Sequence, residues 1–268
     1  MASSMPFDER AARRIEAVYA TPDVAATRAA VISALEPRSG ERVVDLGCGP
    51  GYMARELALA VGPSGHVHAL DLSRPMLTLA LRRCRGLSAV GLVAGDMTAL
   101  ALPDGSVDAA VALQSLAYVP DVARAIGEIA RVLRPGGRAV VLDTDFASVV
   151  WHGRDQARVD RILAAYDAHV AHPGLPRRLS RLASDAGLVT VRREVVPILN
   201  ASFHPDTFAH GIAPFIRDFV VGAGGVPAGE ADAWLAECAA LDTAGEFFAS
   251  LNRYLFVLRK PGRSVSDC

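Results

Sequence analysis

The chain has 268 residues, of which 51% are hydrophobic, and its formal net charge is −1. This length is enough for one large domain or two small ones with a sizeable core, and we expect one domain with a cap. The balanced charge gives no general electrostatic attraction to nucleic acid or to an anionic membrane, so both are excluded as expected partners and a small molecule is favoured.

The sequence predicts a cytoplasmic protein. Its first residues, 1–14, are charged and lack the apolar segment of a secretory signal, and no run of 18 uncharged apolar residues occurs that could span a membrane. The four cysteines, Cys48, Cys84, Cys238 and Cys268, include no Cys-x-x-Cys pair. They therefore indicate reduced thiols, with neither a disulfide framework nor a metal site.

Residues 42–71 hold the strongest local pattern of the chain. A short apolar strand runs into Asp-Leu-Gly-Cys-Gly-Pro-Gly at residues 45–51, and a helical pattern follows at 52–60. Glycines let the backbone turn sharply and let a ligand lie directly against it. The next strand, 66–70, ends at Asp71, whose carboxylate is placed to accept hydrogen bonds from two ribose hydroxyls. The unit therefore predicts a nucleoside site.

The spacing of the glycines indicates which nucleoside. The dinucleotide fingerprint needs its third glycine at a position that Tyr52 occupies here, and Gly51 comes one residue too early, which argues against NAD. The shorter pattern, Asp-x-Gly-x-Gly-x-Gly after an apolar strand, resembles motif I of the class I S-adenosylmethionine-dependent methyltransferases. This resemblance implies that Asp45 lies near the amino acid part of the cofactor.

Three later segments extend the resemblance over residues 40–145. Gly-Asp-Met at 95–97, after the third strand, resembles the family's adenine contact. The segment 102–119 resembles that of methyltransferases related to the ubiquinone and menaquinone biosynthesis enzymes, which implies that Gln114 lies beside the sulfonium. Leu-Arg-Pro-Gly-Gly-Arg at 133–138 is a structural hallmark of the same family.

The implied fold is α/β, a Rossmann-like doubly wound sheet of seven mostly parallel strands with a final antiparallel strand and a helical lid. Strand ends 45–47, 71, 95–97 and 114 then meet at one edge of the sheet. The predicted segments are an N-terminal helical cover (1–36), the S-adenosylmethionine-binding core (37–145), a lid segment (146–175), further core (176–200), a lid insertion (201–250), the final core strand (251–262) and a tail (263–268).

The resemblance implies S-adenosylmethionine as the cofactor, and the implied contacts come from the motifs and from an N-terminal helix that folds over the site. These residues are Tyr19, Arg28, Asp45, Gly47, Cys48, Gly49, Gly51, Asp71, Leu72, Met76, Gly95, Asp96, Met97 and Gln114. The sequence leaves plainer readings open for several of them, because Tyr19 and Arg28 also suit a solvated surface, Asp96 suits a turn, and Leu72 and Met76 suit an ordinary core.

The implied chemistry is an in-line displacement at a sulfonium methyl group, which depends mainly on positioning the acceptor. A general base helps when the acceptor is a phenol or an alcohol. Candidate catalytic residues are His152, Tyr19 and Glu246, taken from a wider set that includes Asp145, Trp151, His204 and His210. His152 is the first choice, because it closely follows the fifth strand and its aromatic neighbour could stack on a flat acceptor.

The expected function is methyl transfer to oxygen, nitrogen or carbon of a small, flat organic acceptor in specialised metabolite or quinone biosynthesis. The aromatic residues of the C-terminal part favour such an acceptor, although they would serve equally as the core of a lid: Phe203, Phe208, Phe215, Phe219, Trp234, Phe247 and Phe248. Two alternatives stay open, a non-catalytic nucleoside-binding regulator with the same fold and an NAD-dependent oxidoreductase. The sequence also leaves a homodimer open.

Overall fold

A computed structural model describes residues 9–262 of the chain, with the side chains described from residue 11 onward. The predicted tail 263–268, which contains Cys268, and the first residues of the predicted N-terminal cover lie outside the described part. Within the described residues, no helix combines the length and the apolar character needed to cross a membrane.

Helices and strands alternate through the first half of the chain, as the sequence pattern predicts. The helices are α1 (Glu9–Ala20), α2 (Pro22–Leu35), α3 (Tyr52–Val61), α4 (Arg74–Arg83), α5 (Val122–Val132), α6 (Gln156–Tyr166), α7 (Pro176–Asp185), α8 (Phe208–Gly222) and α9 (Ala228–Thr243). The strands are β1 (Arg42–Leu46), β2 (His66–Asp71), β3 (Val90–Ala94), β4 (Val107–Leu113), β5 (Leu133–Thr144), β6 (Val150–Trp151), β7 (Val189–Asn200) and β8 (Ala249–Arg259).

The strands form one sheet in the order β3-β2-β1-β4-β5-β8, in which β7 pairs along the other side of β8. The first five strands are parallel, and β8 is antiparallel to both β5 and β7. Strands β1 and β4 are buried along nearly their whole length because helices cover both faces of a parallel sheet. The predicted Rossmann-like, mostly parallel sheet with a final antiparallel strand is confirmed.

Two details of the sheet differ from the prediction. The two-residue strand β6 pairs with the first residues of β8 and lies beyond the end of β5 on the same side, which adds an eighth strand. Strand β5 begins at Leu133 and not at Arg138, because the Pro-Gly-Gly turn forms an irregularity within the strand where its register with β4 shifts.

The helices pack on the two faces of the sheet and in a third layer. Helices α5 and α7 contribute to the core on one face, and α2 and α3 contribute to the core on the other. Asp121 fixes the start of α5 because its side chain accepts a hydrogen bond from the backbone of Arg124, as an N-cap residue does.

A separate apolar cluster joins α1, α6, α8 and α9, and it also takes in Trp151 and part of α4. Its aromatic side chains are buried, with Trp234 1%, Phe247 3% and Phe215 4% exposed. The preference for an acceptor pocket lined by these aromatic residues is therefore wrong. All of them except Phe248, which is 41% exposed, belong to the core of the helical layer or pack against it, which was the alternative reading.

Candidate active site

A cavity of about 720 Å³ lies at the carboxyl edge of the parallel strands. Its volume falls within the range of roughly 300–1,000 Å³ that is usual for small-molecule sites. All of the implied cofactor residues except Gly51 line it: Tyr19, Arg28, Asp45, Gly47, Cys48, Gly49, Asp71, Leu72, Met76, Gly95, Asp96, Met97 and Gln114. The fold thus brings residues from separate motifs to one place.

The loop at residues 47–51 needs its glycines for close packing within the protein as well as for room beside the cavity. Gly47 and Gly51 have φ values of 73° and 81°, a left-handed conformation that side chains rarely adopt. A Cβ on Gly47 would lie 2.6 Å from that of Ser115, and one on Gly51 would lie 2.8 Å from Cα of Ala80 in α4. Gly51 therefore serves helix packing, whereas Gly49 faces the cavity.

Asp71 holds this loop and still presents a carboxylate to the cavity. Its two oxygens accept hydrogen bonds from the backbone N–H groups of Gly49 at 2.9 Å and Ser73 at 2.8 Å. Burial raises the pKa of Asp71, although these backbone donors oppose the shift. Each carboxylate oxygen has a second lone pair, so the group can also accept bonds from ribose hydroxyls.

Asp45 is the most deeply buried acid of the cavity wall. Its side chain is 1% exposed, and its Oδ2 has no hydrogen-bond partner within the described residues. Burial, together with the negative charge of Asp71, raises the pKa of Asp45 to about 7. A buried, unpaired carboxylate is costly until a cation or a donor meets it, so this position suits an ammonium group.

At the β3 end of the cavity the residues suit an apolar, flat group. Leu72 is 73% exposed beside the cavity, whereas Met76 is 3% exposed beneath it. Asp96 forms the turn that the sequence allows, because its Oδ1 accepts a hydrogen bond from the backbone of Thr98 at 2.8 Å. The second carboxylate oxygen can still accept a bond from an exocyclic amine.

Gln114 lies at the end of β4 in a strained backbone conformation, with φ at 53°. Its amide nitrogen donates a hydrogen bond to Thr144 Oγ1 at 2.8 Å, across to β5, and its backbone N–H donates to Leu142. A non-glycine residue held in this region is uncommon, and such residues cluster at functional sites.

Tyr19 and Arg28 come from α1 and α2 and close the side of the cavity above the glycine loop. Arg28 is 7% exposed, donates to Glu56 at 2.8 Å and to the backbone oxygen of Tyr19 at 2.7 Å, and lies over the ring of Tyr52. Burial raises the pKa of Tyr19. The solvated-surface reading of both residues is therefore wrong.

The structure contradicts two of the three catalytic predictions. His152 and Glu246 are both exposed and do not line the cavity. Glu246 pairs with Arg154 on the surface at 3.2 Å. Trp151 is not free to stack on an acceptor, because it packs against Trp234 with ring centroids 5.3 Å apart. The physical reason is that β6 pairs with the first residues of β8 beyond the end of β5, away from the ends of β1 and β4.

The remaining candidates also lie elsewhere, except Tyr19. Asp145 is engaged by Arg177 through two hydrogen bonds, at 2.7 and 3.0 Å. His204 is exposed, and His210 packs beside Phe203, with neither at the cavity.

The cavity residues that sequence reasoning missed include Ser115, Tyr118 and Arg253. Ser115 is buried and donates to the backbone oxygen of Leu46 at 2.8 Å. Burial raises the pKa of Tyr118 well above its ordinary value. Arg253 could have been found, because it alternates with Leu255 and Val257 on one face of the final strand, and a charge on a buried face is unusual.

Known proteins with similar sequences agree with the site that this geometry indicates. Residues 44–141 match a family model described as a methyltransferase domain. A ubiquinone/menaquinone biosynthesis C-methyltransferase, UbiE, from Methylobacterium nodulans is 38% identical over 54% of this chain and 56% of its own. The chain belongs to the class I S-adenosylmethionine-dependent methyltransferases. The cofactor of this family is S-adenosylmethionine. The buried carboxylate of Asp45, whose Oδ2 has no hydrogen-bond partner, and the carboxylate that Asp71 presents to the cavity fit this cofactor.

Other relatives of this methyltransferase differ in coverage. An uncharacterized 37.1 kDa protein in transposon TN4556 from Streptomyces fradiae is 38% identical over 89% of this chain and 68% of its own. A nocamycin O-methyltransferase from Saccharothrix syringae is 38% identical over 40% of this chain and 39% of its own. The chain thus spans only about half of the length of the UbiE enzyme and less of the nocamycin enzyme.

The fold of the methyltransferase also resembles a solved structure described as the [4+2]-cyclase SpnF. The two share 23% sequence identity and superpose with a TM-score of 0.59 over 90% of this chain and 82% of that one. At this identity the likeness concerns the fold alone.

Proposed function

We propose that this methyltransferase transfers a methyl group from S-adenosylmethionine to oxygen, nitrogen or carbon of a small, flat organic acceptor. The observation that carries the proposal is one continuous cavity that runs from Asp71 and Asp45 past Gln114 to Tyr118 and Arg253. An acceptor can therefore reach the position beside Gln114 while the opposite end holds a nucleoside.

Different residues along this cavity would bind different parts of the cofactor. Asp45 and Arg28, which both line the cavity, would hold the amino acid part of the cofactor, and Asp71 would hold the ribose. The adenine would lie between Leu72 and Asp96. When bound, the cofactor supplies a methyl group on a positively charged sulfur, which is an electrophile toward an acceptor that approaches from the opposite side.

The acceptor end is built for positioning more than for proton removal. Burial raises the pKa of both Tyr19 and Tyr118, so these phenols stay protonated near neutral pH and act as hydrogen-bond donors. Tyr19 thereby keeps its proposed place at the reacting centre as a positioning group. Orientation of two bound reactants can supply much of the rate of such a displacement.

The activities of two relatives support two classes of methyl acceptor. UbiE is a quinone biosynthesis C-methyltransferase and the nocamycin enzyme is an O-methyltransferase. We place the present enzyme in quinone or specialised metabolite biosynthesis, in the cytoplasm, with a small molecule as its partner, and with neither nucleic acid nor a membrane involved. Whether it acts as a homodimer is decided by its mass in solution.

The test has two parts. Calorimetric titration with S-adenosylmethionine, S-adenosylhomocysteine and NAD should show binding of the first two and none of NAD. Release of S-adenosylhomocysteine is then measured over a library of phenols, amines, indoles and hydroquinones. Binding of the cofactor without turnover on any acceptor would favour the regulator, and binding of NAD alone would refute the proposal.

A further inference from the structure

Arg253 is a buried cation in the wall of the cavity. Its residue is 3% exposed, and it lies on β8 directly opposite Thr144 of β5. Burial lowers the pKa of Arg253 to about 10, so the guanidinium is still protonated at neutral pH. A positive charge in such a place loses its hydration and needs a partner.

Contacts within the protein compensate for only part of the lost hydration of Arg253. Nη1 of Arg253 donates to Thr27 Oγ1 at 3.0 Å, and the guanidinium lies 5.0 Å from the centre of the Phe208 ring. Nε has no hydrogen-bond partner, and no carboxylate of the described residues lies within ion-pair distance of the guanidinium. Arg28, the other buried arginine, differs because Glu56 neutralises it at 2.8 Å.

Nη2 is the nitrogen of Arg253 that is left for a ligand in the cavity, which this residue lines. Nη1 is engaged by Thr27, and Nε is buried without a hydrogen-bond partner. A guanidinium N–H that donates to a carboxylate oxygen forms a charge-assisted hydrogen bond, which is stronger than a neutral one. The ring of Phe208 packs against the guanidinium, with its centre 5.0 Å from Cζ.

The nearest acids are committed to other groups. Asp23 accepts hydrogen bonds from Asn200 at 2.9 Å and from the backbone of Phe208 at 2.8 Å. Asp143 is a buried acid of the neighbouring strand and influences Arg253 only at a distance. An anion that reaches Arg253 from the cavity would therefore meet no competing carboxylate in contact with the guanidinium.

The order of the strands places Arg253 on the acceptor side of the reacting centre. Along the sheet the sequence is Asp71 on β2, Asp45 on β1, Gln114 beside β4, Thr144 on β5 and then Arg253 on β8. Neighbouring strands lie about 4.8 Å apart, so Arg253 is roughly 10 Å beyond Gln114 and away from Asp45. The cofactor's own carboxylate, which adjoins its ammonium group, can be met by Arg28, which lines the same cavity.

We propose that Arg253 binds a carboxylate of the methyl acceptor, so that this enzyme methylates small organic acids at an atom some distance from the acid group. The inference rests on the proposed methyl transfer and names its substrate class. Tyr19 and Tyr118, which lie in the same cavity, would donate hydrogen bonds to polar atoms nearer the reacting position.

The test compares acids with their amides in the protein saturated with S-adenosylhomocysteine. Probe pairs are indole-3-acetate with indole-3-acetamide, and 4-hydroxyphenylacetate with its amide, and their binding is measured by calorimetry. In the wild-type protein each acid should bind at least tenfold more tightly than its amide. Arg253→Met should abolish this preference, and Arg253→Lys should retain only part of it because lysine lacks the planar guanidinium that Thr27 and Phe208 contact.

Two controls make the result specific. Arg259→Met removes an exposed arginine from the end of the same strand and should leave the preference unchanged. Affinities for S-adenosylhomocysteine and for 5′-methylthioadenosine, which lacks the amino acid part, should be the same in Arg253→Met as in the wild type. The thermal unfolding curve of each variant checks that it is folded.

Three results would overturn the inference. They are an absent acid preference in the wild-type protein, a preference that survives in Arg253→Met, and a selective loss of S-adenosylhomocysteine affinity, which would assign Arg253 to the cofactor's carboxylate. A failure of the proposed methyl transfer looks different, because acids would still bind through Arg253 while no acceptor released S-adenosylhomocysteine.

Discussion

Replacement of Asp45 by asparagine should raise the stability of the ligand-free protein and lower its affinity for the cofactor. Burial raises the pKa of Asp45 from 3.8 to about 7. Between about pH 4 and pH 7 the folded protein therefore keeps a proton on Asp45 that the unfolded chain has lost, and the stability contributed by this group falls as the pH rises through that window. Above pH 7 the full cost of the buried charge is present.

A shift of about three pKa units corresponds to roughly 4 kcal/mol, and relaxation of the site with entry of water reduces this to about 2 kcal/mol. At pH 5 the protonated carboxyl and the asparagine amide resemble each other, so the two proteins should unfold at similar temperatures. At pH 8 the ligand-free Asp45→Asn variant should melt about 4 to 8 °C above the wild type.

The cofactor should reverse this order. Loss of a charged partner for the ammonium group costs about 1.5 to 3 kcal/mol, which is about 10- to 100-fold in affinity for S-adenosylhomocysteine. Differential scanning calorimetry from pH 5 to pH 8, with and without this ligand, measures both effects. Asp104→Asn, which removes an exposed acid, is the control. Asp143, another buried acid with a raised pKa, is present in both the wild type and Asp45→Asn, so it does not contribute to the difference between their melting profiles. Parallel melting profiles for wild type and Asp45→Asn would refute the reasoning.

Three further outcomes can be tested directly. Asp71→Asn should lower affinity for S-adenosylhomocysteine by about tenfold or more in calorimetry, because one charged acceptor for the ribose is lost, and unchanged affinity would contradict the site. Gly51→Ala should lower thermal stability by about 1 to 3 kcal/mol, because its methyl group meets Ala80 at 2.8 Å. Gly86→Ala has a similar φ of 84° but open space, so it should cost less, and equal losses would show that the packing is unimportant. His152→Ala should leave turnover and cofactor affinity unchanged, since the side chain is exposed outside the cavity, and lost turnover would return it to the site.

The cofactor end of the site could be predicted from the sequence because its residues sit in short motifs at the ends of successive strands. Asp71 and Asp96 each follow an apolar run, and parallel strands bring such ends to one edge of the sheet. Local pattern is then sufficient. Only the reason for Gly51 was different, since its contact with α4 depends on how two helices pack.

The acceptor end could not be predicted in the same way because tertiary packing decides it. His152 follows β5 closely in sequence, yet β6 pairs beyond the end of that strand and directs this histidine to the surface. Arg253 comes from the last strand of the sheet, and only the antiparallel register with Thr144 places it in the cavity. The aromatic residues of α8 and α9 have the periodicity of a buried helix face, which sequence cannot separate from a pocket wall.

The order of the groups along the chain has a consequence for how such an enzyme could acquire new substrates. Every implied cofactor contact comes from residues 19 to 114, whereas Tyr118, Arg253 and the helical layer built around α8 and α9 come later. Recombination within the stretch after β4 could exchange the later part for that of a relative while the earlier part stays intact. A hybrid of this kind would take its substrate preference from one parent and its nucleoside-binding residues from the other.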